Sequence, residues 1–212
     1  DLRGNPGGDV NSAVQIADRF VADGWLANLS GRVLPDTGPD HDPVTGAPLA
    51  EWNQAIVGHA LEGVPVAVLV DDQTASAAEV LAGSLAERAD AVVIGRSTWG
   101  KGLAQALRTA DDGSYAVQFT NAVWTLPSGR RLSHRMDGGG IEPHVTLSLG
   151  PASRFQLQRA RVARSALRVH ADGTPMRARR PGARDDLPPL SADPAVQAAE
   201  LVLLARMMKN SD

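Results

Sequence analysis

The chain has 212 residues, is 43% hydrophobic and 21% charged, and carries a net charge of −3. Those values describe an ordinary globular composition with enough length for a real core, and they give no general reason to expect a nucleic-acid partner. With no cysteine there is no thiol nucleophile, Cys-ligated zinc or disulfide framework, and no apolar run approaches the roughly 20 residues of a membrane span.

The opening Asp1-Leu2-Arg3-Gly4-Asn5-Pro6-Gly7-Gly8 is turn-rich and leads into a helix, with Val10, Ala13, Val14, Ala17 and Val21 on one apolar face and Asp9 or Asn11 as cap. The sequence starts with Asp in what reads as a strand end, as expected of a piece of a longer protein, so a missing signal peptide carries no information on compartment. Ser30 to Pro48 reads as a surface loop, followed by a helix over Leu49–Leu61. Val64–Val70 is a continuous, largely β-branched run that suits a strand buried on both faces of a parallel sheet. A turn over Asp71–Thr74, a helix over Ser76–Arg88 and a second buried strand over Ala91–Ile94 complete a βαβ unit. Strand-like segments follow near Gln105–Thr109, Tyr115–Trp124 and Val145–Leu149.

Beyond Gly150 the character changes. Nine of the chain's 19 arginines fall between Arg154 and Arg184, against two lysines in the whole sequence, Lys101 and Lys209. Phe155, Val162, Ala166 and Val169 are spaced for the apolar side of a helix; a Pro/Gly-rich linker and a helix over Pro194–Met208, capped by Asp193, close the chain. The divisions expected are 1–149 as core, 150–192 as Arg-rich helix and linker, and 193–212 as a C-terminal helix.

Three places could carry chemistry. Ser76, within Asp72-Gln73-Thr74-Ala75-Ser76-Ala77-Ala78-Glu79, sits between a buried strand and a helix. There its hydroxyl is presented at the strand end and the helix N-terminus faces any oxyanion it generates, although serine is also a common N-cap. Lys101, between Gly100 and Gly102, would be a general base only if neutral. That needs its pKa to fall by about three units from about 10.4, roughly 4 kcal/mol; otherwise it is a solvated turn lysine. A nearby Gln105 amide could hold the amine without adding negative charge, and Arg could not replace Lys in such a role. Gly7 and Gly8 offer two unhindered amides at a helix start, an anion site or simply an entry turn. Residues 95–102 approach the phosphate-loop pattern, but Gly102 replaces its metal-binding hydroxyl and β-like sequence replaces its helix. The five histidines show no metal-ligand spacing and read as surface or satisfied side chains.

In order and spacing these pieces resemble the carboxyl-terminal processing (tail-specific) serine peptidases. The matching stretches are Asp1–Gly8, Val66–Val70 into Thr74–Glu79, Val92–Gly95, Thr98, Gly100-Lys101-Gly102, Gln105, Pro127, Gly129 and Gly140-Ile141-Glu142-Pro143. The resemblance covers residues 1–149. It implies an α/β fold with a β/α sheet core of the Clp protease/crotonase type, here with a helical C-terminal appendage. It further implies Ser76 as nucleophile, Lys101 as base and Gln105 as its positioner, with backbone amides of Ala77 and of Gly7 or Gly8 as the oxyanion hole. Also implied are protein or peptide substrates cut at or near their C-terminal regions, an upstream PDZ domain and residence in the cell envelope, periplasmic or extracytoplasmic. No metal or organic cofactor is expected. A noncatalytic ligand- or peptide-binding protein on the same fold is the alternative.

Overall fold

A computed structural model describes residues 1–31, 61–134, 139–165 and 190–209. The expected helix over Leu49–Leu61 lies outside these residues save for Leu61, which is in a turn.

Helix α1 (Val10–Asp18) starts where Asp9 accepts hydrogen bonds from the amides of Asn11 and Ser12. The Ser12 hydroxyl also donates to Asp9 and holds its carboxyl below the usual range. Strands β2 (Ala67–Val70) and β3 (Val92–Gly95) flank helix α2 (Ala77–Arg88) and pair in parallel, and β3 also pairs in parallel with the short β6 (Val145–Thr146). The period-2 geometry of a strand sorts the apolar side chains to two faces. Val68, Val70 and Val93 pack with Ala13, Val14 and Ala17 of α1 and Ala77, Leu81 and Leu85 of α2, whereas Leu69, Val92 and Ile94 form a second cluster with Ala195. A sheet covered on both sides explains why its strands read as unbroken apolar runs.

A second sheet is antiparallel, in the order β1 (Asn28–Gly31), β5 (Ala116–Thr125), β4 (Leu103–Thr109). Here the sequence pattern misleads, because it suggests a loop from Ser30. Asn28–Gly31 has little apolar content and becomes a strand through its ladder to residues 122–125. Helix α2 lies between the sheets and also packs Val80 against Ala27 and Trp124. Every residue from Ala77 to Leu85 is buried, which is why this helix lacks a polar face.

Helix α3 spans Pro151–Ser165 and α4 spans Pro194–Lys209. The apolar face expected for the first of these is wrong at Phe155, which is 61% exposed, while Ala160 is buried at 1%; Ala166 and Val169 lie outside the described residues. Asp193 caps α4 through the Ala195 amide, and this helix seals the second face of the parallel sheet. Arg3 forks onto Asp193 at 2.9 and 2.7 Å and onto Asp1 at 2.9 and 2.7 Å. Burial pushes the Asp193 carboxyl up, but Arg3 and the amides of Ala195 and Val196 outweigh this and hold it below the usual carboxylate range. The N-terminal loop and the last helix are therefore joined by a nearly dry, bidentate ion pair. None of the described helices is long and apolar enough to cross a membrane.

Candidate active site

The site is built where β2 stops. Leu2 donates to Leu69 at 2.8 Å, and Thr74 Oγ1 donates to the Leu2 carbonyl at 2.9 Å. Asp71 accepts from the Gly4 amide at 2.8 Å, and Ala75 donates to the Asn5 carbonyl at 2.9 Å. These bonds lay the opening loop along the turn that carries Ser76. At Gly7 (φ 96°) a Cβ would stand 2.7 Å from Ser76 Cβ and 2.9 Å from the Ala77 nitrogen, so no side chain fits. Gly7 of the opening motif thus brings backbone against the serine.

Ser76 itself has φ 57° and ψ −124°, a left-handed backbone that costs a non-glycine residue of the order of 1–3 kcal/mol and persists only when its surroundings hold it. What holds it is Glu79, fully buried one turn into α2. Its carboxylate oxygens accept from the amides of Ser76 at 2.8 Å, Lys101 at 2.7 Å and Gly100 at 2.6 Å, and from Thr98 Oγ1 at 2.5 Å. Thr98 Oγ1 in turn accepts from Ile141 at 2.7 Å. One side chain therefore fixes the backbones of both Ser76 and Lys101, and buried acceptors with this many donors are costly to remove. The sequence reading missed it; the available signal is the spacing Ser76-x-x-Glu79 of a capping box, which marks a helix start but not a bridge to a distant lysine.

Lys101 is half-buried, forms no ion pair among the described residues, and bridges to Ser133 across the backbone. The neighbouring glycines are there for close approach. A Cβ at Gly102 would meet the Leu132 carbonyl at 2.3 Å, and one at Gly100 the His134 nitrogen at 2.8 Å. Beyond Gly102 the chain enters β4, so no phosphate-loop helix follows the lysine.

Contact between the predicted side chains is incomplete. Among the described residues no hydrogen bond joins the Ser76 hydroxyl to the Lys101 amine. Gln105 lies exposed on β4, past a bulge at Ala104/Gln105, and its Oε1 accepts from Gln118 Nε2 at 3.1 Å rather than meeting Lys101. The Gly7 amide donates to Asn5 Oδ1 at 2.9 Å. The amides of Gly8 and of Ala77, first residue of α2, have no partner among the described residues. His144 receives the Val93 amide at 3.0 Å, and His134 stacks on Trp99 at 4.3 Å; both are occupied structurally. His41, His59 and His170 lie outside the described residues.

A serine held at positive φ between a parallel strand and a helix has the geometry of a nucleophile elbow, which lifts the hydroxyl clear of its own backbone. The chain belongs to peptidase family S41, whose pattern it matches over residues 1–147. It is similar to a probable CtpA-like serine protease of Staphylococcus epidermidis, 34% identical over 148 residues, which are 70% of this chain and 27% of that protein. A probable CtpA-like serine protease of Staphylococcus aureus is 33% identical over 147 residues, 69% of this chain and 26% of that protein. Among solved structures, the photosystem II D1 C-terminal processing protease superposes with a TM-score of 0.51 at 29% identity, over 70% of this chain and 33% of that one. The chain thus spans about a quarter of the length of these curated relatives.

Proposed function

We propose that this chain carries the catalytic centre of a serine endopeptidase that cuts proteins at or near their C-terminal regions. The observation that carries the reading is the strained Ser76 elbow, whose amide shares the buried Glu79 carboxylate with the amide of Lys101. Ser76 Oγ attacks the scissile carbonyl while the neutral Lys101 amine takes its proton. The tetrahedral oxyanion is held by the amides of Ala77 and Gly8, since the Gly7 amide is already taken by Asn5. When the C–N bond breaks, Lys101 returns the proton to the leaving amine, and water then hydrolyses the acyl-enzyme by the same path. The Lys101 amine forms no ion pair among the described residues. Catalytic hydrogen bonds are commonly formed only in the substrate complex, so closure of the Ser76–Lys101 contact belongs to substrate binding. Gln105 is a positioning residue in this scheme.

Resemblance to C-terminal processing peptidases, together with the relatives' names, supports protein substrates, an upstream peptide-capturing PDZ domain and an extracytoplasmic, envelope setting. In the full-length protein, Ser76→Ala and Lys101→Ala should each abolish cleavage of an unstructured polypeptide, followed by gel electrophoresis. Lys101→Arg should be equally inactive, because arginine stays protonated. Cleavage by any of the three would defeat the assignment of that residue, whereas no cleavage by the parent protein would leave the noncatalytic binding reading.

A further inference from the structure

A cleft of about 580 Å³ opens between α3 and the carboxyl ends of β2 and β3, outside the Ser76–Lys101 centre. Its volume is in the range of ligand pockets, and the carboxyl edge of a parallel sheet is where such folds receive ligands. Val70, Leu147, Leu149 and Leu157 give it an apolar wall, and Trp99, two residues before Lys101, also lines it. Its mouth is unevenly charged. Asp72 is shared by Arg96 at 3.1 Å and Arg154 at 3.7 Å, two guanidinium groups on one carboxylate. Asp71 faces Arg161 at 3.8 Å, and Arg3, which also lines the cleft, is consumed by Asp1 and Asp193. Among the described residues the local excess of positive charge is confined to the Asp72 cluster, since Arg3 and Arg161 are matched by Asp1, Asp71 and Asp193.

The opening loop measures how far this cleft lies from the nucleophile. A Cβ at Gly4 would stand 2.9 Å from Arg161 and 3.6 Å from Gln73, both cleft residues, whereas one at Gly7 would touch Ser76. Three residues of chain span at most about 10 Å. The cleft residues beside Gly4 therefore lie within the reach of a few extended residues from Ser76.

We propose that the cleft is a selectivity pocket for the substrate, accepting an apolar side chain adjacent to a carboxylate two to four residues from the bond cut at Ser76. The apolar side chain fills the space beneath Trp99 and α3, and the carboxylate meets the guanidinium groups of Arg96 and Arg154. This rests on the serine-peptidase reading above.

The test uses unstructured peptides that carry Leu-Glu, Leu-Lys or Gly-Glu at stepped distances from one cleavable bond. With the full-length protein, kcat/KM should favour Leu-Glu over both others by about tenfold, the size of one charge-assisted contact or one buried side chain. In the Arg96→Glu/Arg154→Glu double variant the order of Leu-Glu and Leu-Lys should invert. Arg154→Gln, on an exposed helix face, should halve the logarithm of the preference and serves if the double variant does not fold. Equal rates for the three peptides, or a preference unmoved by the arginine changes, would overturn the proposal. Ser76→Ala separates the two ideas. In that variant, peptide binding measured by calorimetry should keep the Leu-Glu preference while cleavage is lost. Cleavage surviving Ser76→Ala would instead sink the peptidase reading, and binding without preference would sink the pocket alone.

Discussion

The two sides of the candidate centre are built on different principles. On the Ser76 side the backbone is fastened by buried hydrogen bonds, while the amides of Ala77 and Gly8 stay without a partner among the described residues. The Glu79 carboxylate gathers three amides and a hydroxyl, and the neighbouring loop is pinned to β2 by further hydrogen bonds. On the β4–β5 side the sheet is open to solvent, with Leu107 64% and Val117 49% exposed, and Gln105 bonded to Gln118 instead of to the lysine. In the proposed mechanism the backbone around Ser76 is set before substrate arrives, while the contacts of Lys101 with Ser76 and Gln105 would form afterwards. Preorganised dipoles contribute most when they need no rearrangement at the moment of reaction, so this division is a sensible one.

The comparison breaks first at Glu79. Glu79→Ala strands three amides and a hydroxyl inside the protein, each costing about 1–3 kcal/mol if water does not reach it. A loss of about 4 kcal/mol or more in urea-unfolding free energy is expected, with cleavage abolished. Glu79→Gln should keep the volume yet still lose activity, since its NH2 group faces donors. Stability within 1 kcal/mol of the parent for the alanine variant would show that the carboxylate is not the fastening it looks to be.

Next in size is the Arg3–Asp193 pair. Asp193→Asn leaves Arg3 with Asp1, so the loss should be about 1–3 kcal/mol, less than for a charge left wholly without a partner. The sign with pH follows from the lowered Asp193 pKa. Its stabilisation is complete well above the unfolded value of about 3.9 and disappears as pH falls through the lower folded value. Parent and Asp193→Asn unfolding midpoints should therefore converge below about pH 4 and separate above it. Parallel curves would mean that the pair does not titrate with folding.

The glycine pair gives a sharper contrast. Gly7→Ala faces positive φ and a clash with Ser76 Cβ, for about 1–3 kcal/mol of strain and loss of cleavage. Gly8→Ala meets open space, so its cost is confined to backbone strain at φ 151°, and it should be the milder change in thermal unfolding. Equal destabilisation by the two would contradict the close approach of Gly7 to the serine.

Much of this was legible in the sequence for a physical reason. The strands expected over Val64–Val70 and Ala91–Ile94 announce themselves because burial on both faces demands uninterrupted apolar residues, although the first begins only at Ala67 and Val64 is exposed. Ser76 and Lys101 stood out because turn and glycine positions concentrate chemistry. Asn28–Gly31 did not, because a short polar strand takes its identity from the partner it pairs with, here 97 residues away at Asn28–Thr125 and 91 at Gly31–Ala122. Phe155 was misassigned because periodicity gives a stripe without saying whether anything covers it. Glu79 was missed, because its hold on residues 98–101 depends on the tertiary approach of the segment after β3 to the start of α2.

The smallest expected effect on stability tests the open side. Gln105 is exposed, so Gln105→Ala should change unfolding free energy by no more than about 0.5 kcal/mol. Its chemical role is distinct. With Oε1 held by Gln118, the free NH2 group can donate to a lysine only when the amine is neutral, because an ammonium has no lone pair to accept with. Such a bond favours the base form. Removing it should therefore raise the apparent pKa on the acidic limb of the kcat/KM profile, moving that limb to higher pH and lowering the rate at neutral pH. Gln105→Glu should move it further in the same direction, since a nearby negative charge favours the ammonium. Gln118→Ala should have a weaker effect of the same sign by releasing the amide to rotate. A rate loss that is uniform across pH would assign Gln105 to the sheet rather than to the lysine.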